Sequence, residues 1–180
     1  MVSEPQTLSR SEREALIKDK AGWVITVMAA LLAVSALLGN ANSGQVLNST
    51  IAANDTWAFY QAKSVKQTQY EIGAAQASAH GDSALAQQFR AAARRYESEP
   101  ETGEGKKELM AKARALEAER QFAKSRSPWF TYASSLFQLA IVLLTASILA
   151  VNTRLYHASL VVGGLGATVL TQAIWLWLPW

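Results

Sequence analysis

The chain contains no cysteine, so disulfides and thiolate chemistry are excluded. It holds two histidines in 180 residues, His80 and His157, too far apart in sequence to suggest a zinc set or a Ser–His–Asp order. Charge is missing from three long stretches: nineteen positions from Ala21 to Gly39, twenty-three from Trp129 to Val151, and twenty-six from Leu155 to Trp180. Charge-free runs argue against a proton relay or an ion-coupled transporter of the usual kind. With no catalytic constellation to assemble, neither an enzyme nor a bound cofactor or metal is expected. A nucleic-acid partner is not expected either.

What is present is apolar length. A bilayer core of roughly 30 Å needs about 20 apolar residues at 1.5 Å each, so all three runs qualify as transmembrane helices. The expected division is a polar tail over 1–20, spans over 21–39, 129–151 and 155–178, and an extramembrane insert over 45–126. The tail carries four acids and four bases, unlike a short basic signal-peptide start, so the first span reads as a retained anchor. Ser11 with Glu14 reads as a capping box, and "GNANSG" (Gly39 to Gly44) as a break in the chain. Ser127 and Pro128 read as the N-cap and first position of the second span. "VNTRL" is short enough to force spans two and three into an antiparallel hairpin.

The insert reads as helix. Leu47, Ile51, Ala58, Ala62, Val65, Gln69 and Ile72 share a stripe, four of them at seven-residue steps, which predicts a seam for a neighbouring helix. Asn54, Gln61 and Thr68 are its polar layers: either they set register, or they face water at the stripe's edge. "HGD" at 80–82 is a turn, with Gly81 free to take a positive φ and Asp82 or Ser83 able to cap. "ESEPETGEG" (Glu97 to Gly105) interrupts the return as a flexible connector. Outgoing and returning lengths nearly match, so the insert fits a coiled-coil-like helical hairpin of about 50 Å. With the turn at 80–81, the connector falls opposite residues 56–62, and its glutamates come within reach of Lys63 and Lys66.

Within the outgoing helix lies "NDTWAFYQAKSVKQTQY", Asn54 to Tyr70. Its aromatic residues do not share one face. Large aromatics on several sides mark a helix packed on more than one side. Trp57 and Tyr60, off the apolar seam, should therefore meet something other than their own hairpin. Asn54, Trp57, Phe59, Tyr60, Gln61, Lys63 and Lys66 form the expected partner or oligomer contact. The block NDxWAFYQAKSxK, after one span and before a terminal two-span hairpin, resembles an uncharacterised bacterial membrane protein family of the domain of unknown function 4337 type. The resemblance implies a bacterial inner-membrane setting and supplies no activity.

Other motifs dissolve on inspection. "GEGKKE" lacks the first glycine and the Ser or Thr of a phosphate loop. "GGLGA" lies in an apolar span with no strand before it, where Gly163 and Ala167, four apart, suit close helix packing instead. Glu97, Glu99, Glu101 and Glu104 lack the Asp-rich calcium loop and suit a solvated connector. Asn48 and Asn54 begin N-x-T triplets, a frequent chance match. Within the membrane hairpin, Gln138 should face Thr168 and Ser134 should face Gln172, as interhelical glue or, alternatively, as a pore lining. Counting bases near span ends sets Arg10, Arg13, Lys18, Lys20 and Arg154 against Arg114, Arg120, Lys124 and Arg126. The first helix usually dominates, so the N-terminus is assigned inside and the insert to the periplasm. Trp23, Trp129, Tyr156, Trp175, Trp177 and Trp180 mark span ends. The expected protein is an all-α, three-span, homo-oligomeric membrane protein. It works as a structural or accessory module, by self-association or by scaffolding another membrane complex. The competing expectation is a homo-oligomeric channel lined by polar span residues.

Overall fold

The computed structural model describes residues 10–176. The regular elements among them are four α-helices: α1 Arg10–Ala79, α2 Ser83–Glu97, α3 Lys106–Leu149 and α4 Thr153–Trp175. They form two compact units, one of residues up to Ser43 with those from Lys124 onward, the other Gly44–Ala123.

The first unit contains the charge-free stretches. Parts of α1 and α3 and all of α4 are long and apolar enough to cross a membrane. Their contact is a core of Ala21, Met28, Phe130, Ala133, Phe137, Leu144, Leu170 and Ala173. On α1 the buried positions Ala21, Met28, Ser35 and Asn42 recur every seven residues, the spacing of a left-handed helix seam. Small residues set the distance between helices. A Cβ on Gly163 would collide with the Met28 side chain, and one on Gly166 would come within 3.1 Å of the Phe137 ring. The turn between α3 and α4 is short, with Val151 at a positive φ and the Asn152 side chain accepting from the Arg154 N–H.

Two expected breaks are absent. Residues 39–44 lie inside α1, which runs on without interruption. Glycine in a helix interior costs only about 0.5–1 kcal/mol, and here Phe130 occupies the space, since a Cβ on Gly39 would sit 3.2 Å from the Phe130 Cβ. The Asn42 amide also donates to Ser127 Oγ at 2.9 Å. Likewise Pro128 lies within α3, and Ser127 is no N-cap. A proline there removes one backbone hydrogen bond, about 3 kcal/mol in an isolated helix. Burial of Phe130 and Ala133 just beyond it carries the helix through. Helix α3 ends at Leu149, two residues before the expected end of the second span, and the expected end of the third span at 178 lies outside the described residues. Ser11 sits inside α1, while the Glu14 side chain of the expected capping box, and Trp177 and Trp180, lie outside the described residues.

The second unit is a hairpin of helices. Its turn is as expected: Gly81 takes φ +79°, and Asp82 caps α2 by accepting from the Leu85 N–H at 2.9 Å. The packed face of α1 is not the expected one. Ser49, Ala53, Thr56, Ala74 and Ala77 are buried, and Tyr60, Lys63, Gln67 and Tyr70 partly so, together a four–three repeat facing the returning helices. Leu47, Ile51, Val65 and Ile72, the predicted seam, are 50–59 % exposed. Asn54, Gln61 and Thr68 are exposed beside them. The inner seam is made of alanines, hydroxyls and long amphipathic side chains because α2 and α3 fit closely against it. Ala86, Ala93, Leu109, Ala113 and Ala123 are their buried counterparts.

Candidate interaction site

The connector between α2 and α3 is held by a set of local hydrogen bonds. Gly103 N–H donates to the Glu99 carbonyl at 2.9 Å with φ +70° at Gly103, and Thr102 Oγ1 donates to the Glu99 carboxylate at 3.0 Å. Glu108, in the first turn of α3, reaches back to fasten it. It accepts from Ser98 Oγ at 2.6 Å and from the Glu99 N–H at 3.2 Å. These donors, the Ser98 hydroxyl first, hold the Glu108 carboxyl below its ordinary range. Glu99 is likewise lowered, chiefly by its hydrogen bond from Arg95, an exposed pair at 2.7 Å. Gly105 is buried there, and a side chain on it would strike the Ser98 and Glu99 backbone.

Against this connector α1 presents its aromatic and basic residues. Lys63, 14 % exposed, pairs with Glu104 at 3.1 Å and lies over the rings of Phe59 and Tyr96, at 5.1 and 5.6 Å. Lys106 of α3 answers from the other side. It lies 5.5 Å from the Tyr60 ring centre, donates to Gln67 Oε1 at 2.9 Å and pairs with Glu97 at 3.7 Å. The Trp57 indole N–H donates to Glu117 at 2.9 Å, and its ring meets Tyr60 edge to face. Above them Tyr70 stacks on Tyr96 and touches Phe89, whose ring packs on Gly73. A groove of about 500 Å³ runs past Lys63, Tyr70, Arg95 and Tyr96. Cation–ring contacts contribute about 0.5–1 kcal/mol each at exposed sites and more when desolvated. Together they clamp the connector to α1.

The predicted contact residues therefore divide. Trp57 and Tyr60 have partners inside their own hairpin, against the expectation that they look away from it. Lys63 meets the connector as expected, through Glu104, whereas Lys66 is exposed beside Tyr70 and Phe89. Phe59 is 43 % exposed, and Asn54 and Gln61 face outward. Near the turn the helix register is as expected, with Gly73 on Phe89. Beyond the connector Trp57 meets Glu117, because non-helical residues 98–105 advance little along the hairpin.

In the membrane-length helices the register holds to within a few residues, with Gly163 near Ala140 and Gly166 near Phe137, but the faces differ. Gln138 borders a polar groove with Ser35, Asn40 and Thr131. Thr168 is exposed and donates to the Gly164 carbonyl in its own helix, and no hydrogen bond joins it to Gln138. Ser134 bonds Ser35 of α1 at 3.0 Å, and Gln172 is buried. Gly163 makes the close approach predicted for it, and Ala167 packs at the edge of the core, while Gly166 is a second close approach that the four-residue spacing hid. Arg126, read only as a topology charge, donates to the carbonyls of Ala173 and Ile174 at 2.8 and 3.3 Å and lies over Phe130. Its signal was its place as the last charge before an apolar run. Among the described residues no group of three His, Cys, Asp or Glu could hold a metal.

Four helices, three of them of membrane-spanning length and composition, and a hairpin unit locked by an aromatic–lysine clamp define an all-α protein of candidate multi-span membrane type. The family model described as "Domain of unknown function (DUF4337)" matches residues 18–176. The chain belongs to that family. No curated protein and no solved structure matches it.

Proposed function

We propose that this protein is a membrane-anchored structural or accessory module of the bacterial inner membrane, without catalytic activity or cofactor. Its hairpin unit stands on the periplasmic side and acts by helix–helix contact, either with further copies or as scaffold for another membrane complex. The observation that carries this reading is the outer face of α1. Ile51, Val65 and Ile72 recur at multiples of seven residues, and each is at least half exposed. A repeating apolar stripe on an already packed helix is what a further helix would cover.

The test is the mass of the complex extracted in mild detergent. Wild-type protein is expected in an assembly heavier than one chain. A variant with Ile51, Val65 and Ile72 all replaced by glutamine should keep its helix content and fall to lower mass. A wild-type protein that runs as a single chain, or a variant of unchanged mass, overturns the reading.

The alternative reading, a homo-oligomeric channel, is favoured by one feature, the groove of about 330 Å³ bordered by Ser35, Asn40, Thr131, Ser134 and Gln138. Hydroxyls and amides there could line a water path in an assembly. Conductance in liposomes that is lost on replacing Gln138 by leucine would establish it.

A further inference from the structure

The outer face of α1 carries a pattern as well as apolar area. Read along the helix, its layers are Ile51, Asn54, Ala58, Gln61, Val65, Thr68 and Ile72, spaced by three and four residues, and all are exposed. Sorted by chemistry, the order is apolar, polar, apolar, polar, apolar, polar, apolar, with Gln61 at the centre. That order is the same in both directions.

The borders of the face are almost free of charge. Thr50, Trp57, Ser64 and Glu71 run along one side, and Asp55, Ala62, Gln69 and Gln76 along the other. Glu71 is already engaged by Gln67 of its own helix at 2.9 Å. There is no lysine or arginine here to address an acidic partner, and two carboxylates make a poor address for a basic one. Recognition must come from the layers themselves. An apolar partner without matching amides would strip Asn54 and Gln61 of water and leave them unpaired. A lipid surface presents no ordered alternation of amides to match these layers.

We infer that this face pairs with the same face of a second copy, apolar layer on apolar layer and polar layer on polar layer, with Gln61 meeting Gln61 at the centre. This rests on the contact reading above and names its partner. Side-chain amides paired across the contact would fix its register, as a buried Asn does in coiled coils. The aromatic–lysine clamp lies on the inner side of α1 and takes no part.

A Gln61→Cys variant of the full-length, cysteine-free chain, oxidised in its own membranes, tests the pairing. The central layer meets itself whichever way the second helix runs, so a disulfide-linked dimer should form efficiently. A Gln87→Cys variant on exposed α2 should form at least tenfold less. Adding Val65→Lys to the Gln61→Cys chain should cut the dimer at least tenfold with helix content unchanged. No dimer from Gln61→Cys, equal dimer from Gln87→Cys, or survival of the dimer beside Val65→Lys each overturns self-pairing. Failure here with a heavy detergent complex sinks self-pairing alone, whereas a single-chain mass sinks the contact reading as well.

Discussion

Trp57 and Glu117 are joined across the hairpin, the indole N–H donating to the carboxylate at 2.9 Å although sixty positions separate them. The bond ties α1 to α3 beyond the connector, so it reports the register of the whole unit. Trp57→Phe keeps an aromatic ring and removes the donor. The expected loss is about 1 kcal/mol, since hydrogen bonds to charged groups contribute more than neutral ones but this one is partly exposed. Thermal melting followed by circular dichroism should show it. The complex mass should not change.

Close packing of the membrane-length helices makes an adjacent pair of glycines unequal. At Gly163 an added methyl meets Met28, while at Gly164 nothing lies within 4 Å. Gly163→Val should destabilise by about 1–3 kcal/mol, the usual cost of overpacking. Gly164→Val should cost much less. Paired melts in the same detergent decide it, and equal losses would mean that α1 does not approach α4 at Gly163.

Acid should loosen the connector. The Glu108 carboxyl is held below its ordinary range by the Ser98 hydroxyl and the Glu99 N–H, and Glu99 is lowered by Arg95. A lowered folded value means that the charged form stabilises the fold. That contribution is fully present above the unfolded carboxylate value of about 4.3 and is lost as pH falls through the lower folded value. The melting temperature of the hairpin unit should thus drop below about pH 4, and Glu108→Gln should flatten part of that drop.

Topology is testable because the chain has no cysteine of its own. With Ser3→Cys and Ser83→Cys as separate variants, an impermeant thiol reagent applied to intact spheroplasts should label Ser83→Cys only. Labelling of Ser3→Cys alone would place the hairpin unit in the cytoplasm.

The sequence was informative where physics is local. Gly81 and Asp82 announce a turn by conformation and capping, the residues from Glu97 to Gly105 announce an interruption, and three charge-free runs announce membrane-length helices. It misled where neighbours decide. "GNANSG" looks like a break until Phe130 is packed on Gly39, and Pro128 looks like a start until α3 is seen to continue through it. The deepest misreading was the seam. Apolar character marked Ile51 and Val65, but the packed face carries Ser49, Thr56, Lys63 and Tyr70. Polar and amphipathic side chains can line a contact when their ends find partners: Thr56 bonds the Ala52 carbonyl of its own helix, Tyr70 stacks on Tyr96 of α2, and Lys63 meets Glu104 of the connector. Trp57 and Tyr60 were misplaced for the same reason.

Arg126 fixes a height. Its guanidinium donates to the carbonyls of Ala173 and Ile174, among the last of α4, where a helix leaves acceptors unsatisfied and carries partial negative charge. A helix of uniform greasiness could slide through lipid by a residue or two at little cost, and bilayers of different thickness would let it. Here sliding would carry those acceptors away from a cation whose guanidinium also lies over the Phe130 ring. The fourth helix is therefore moored to the third, and its height along that neighbour is written by a residue of α3 rather than by its own length.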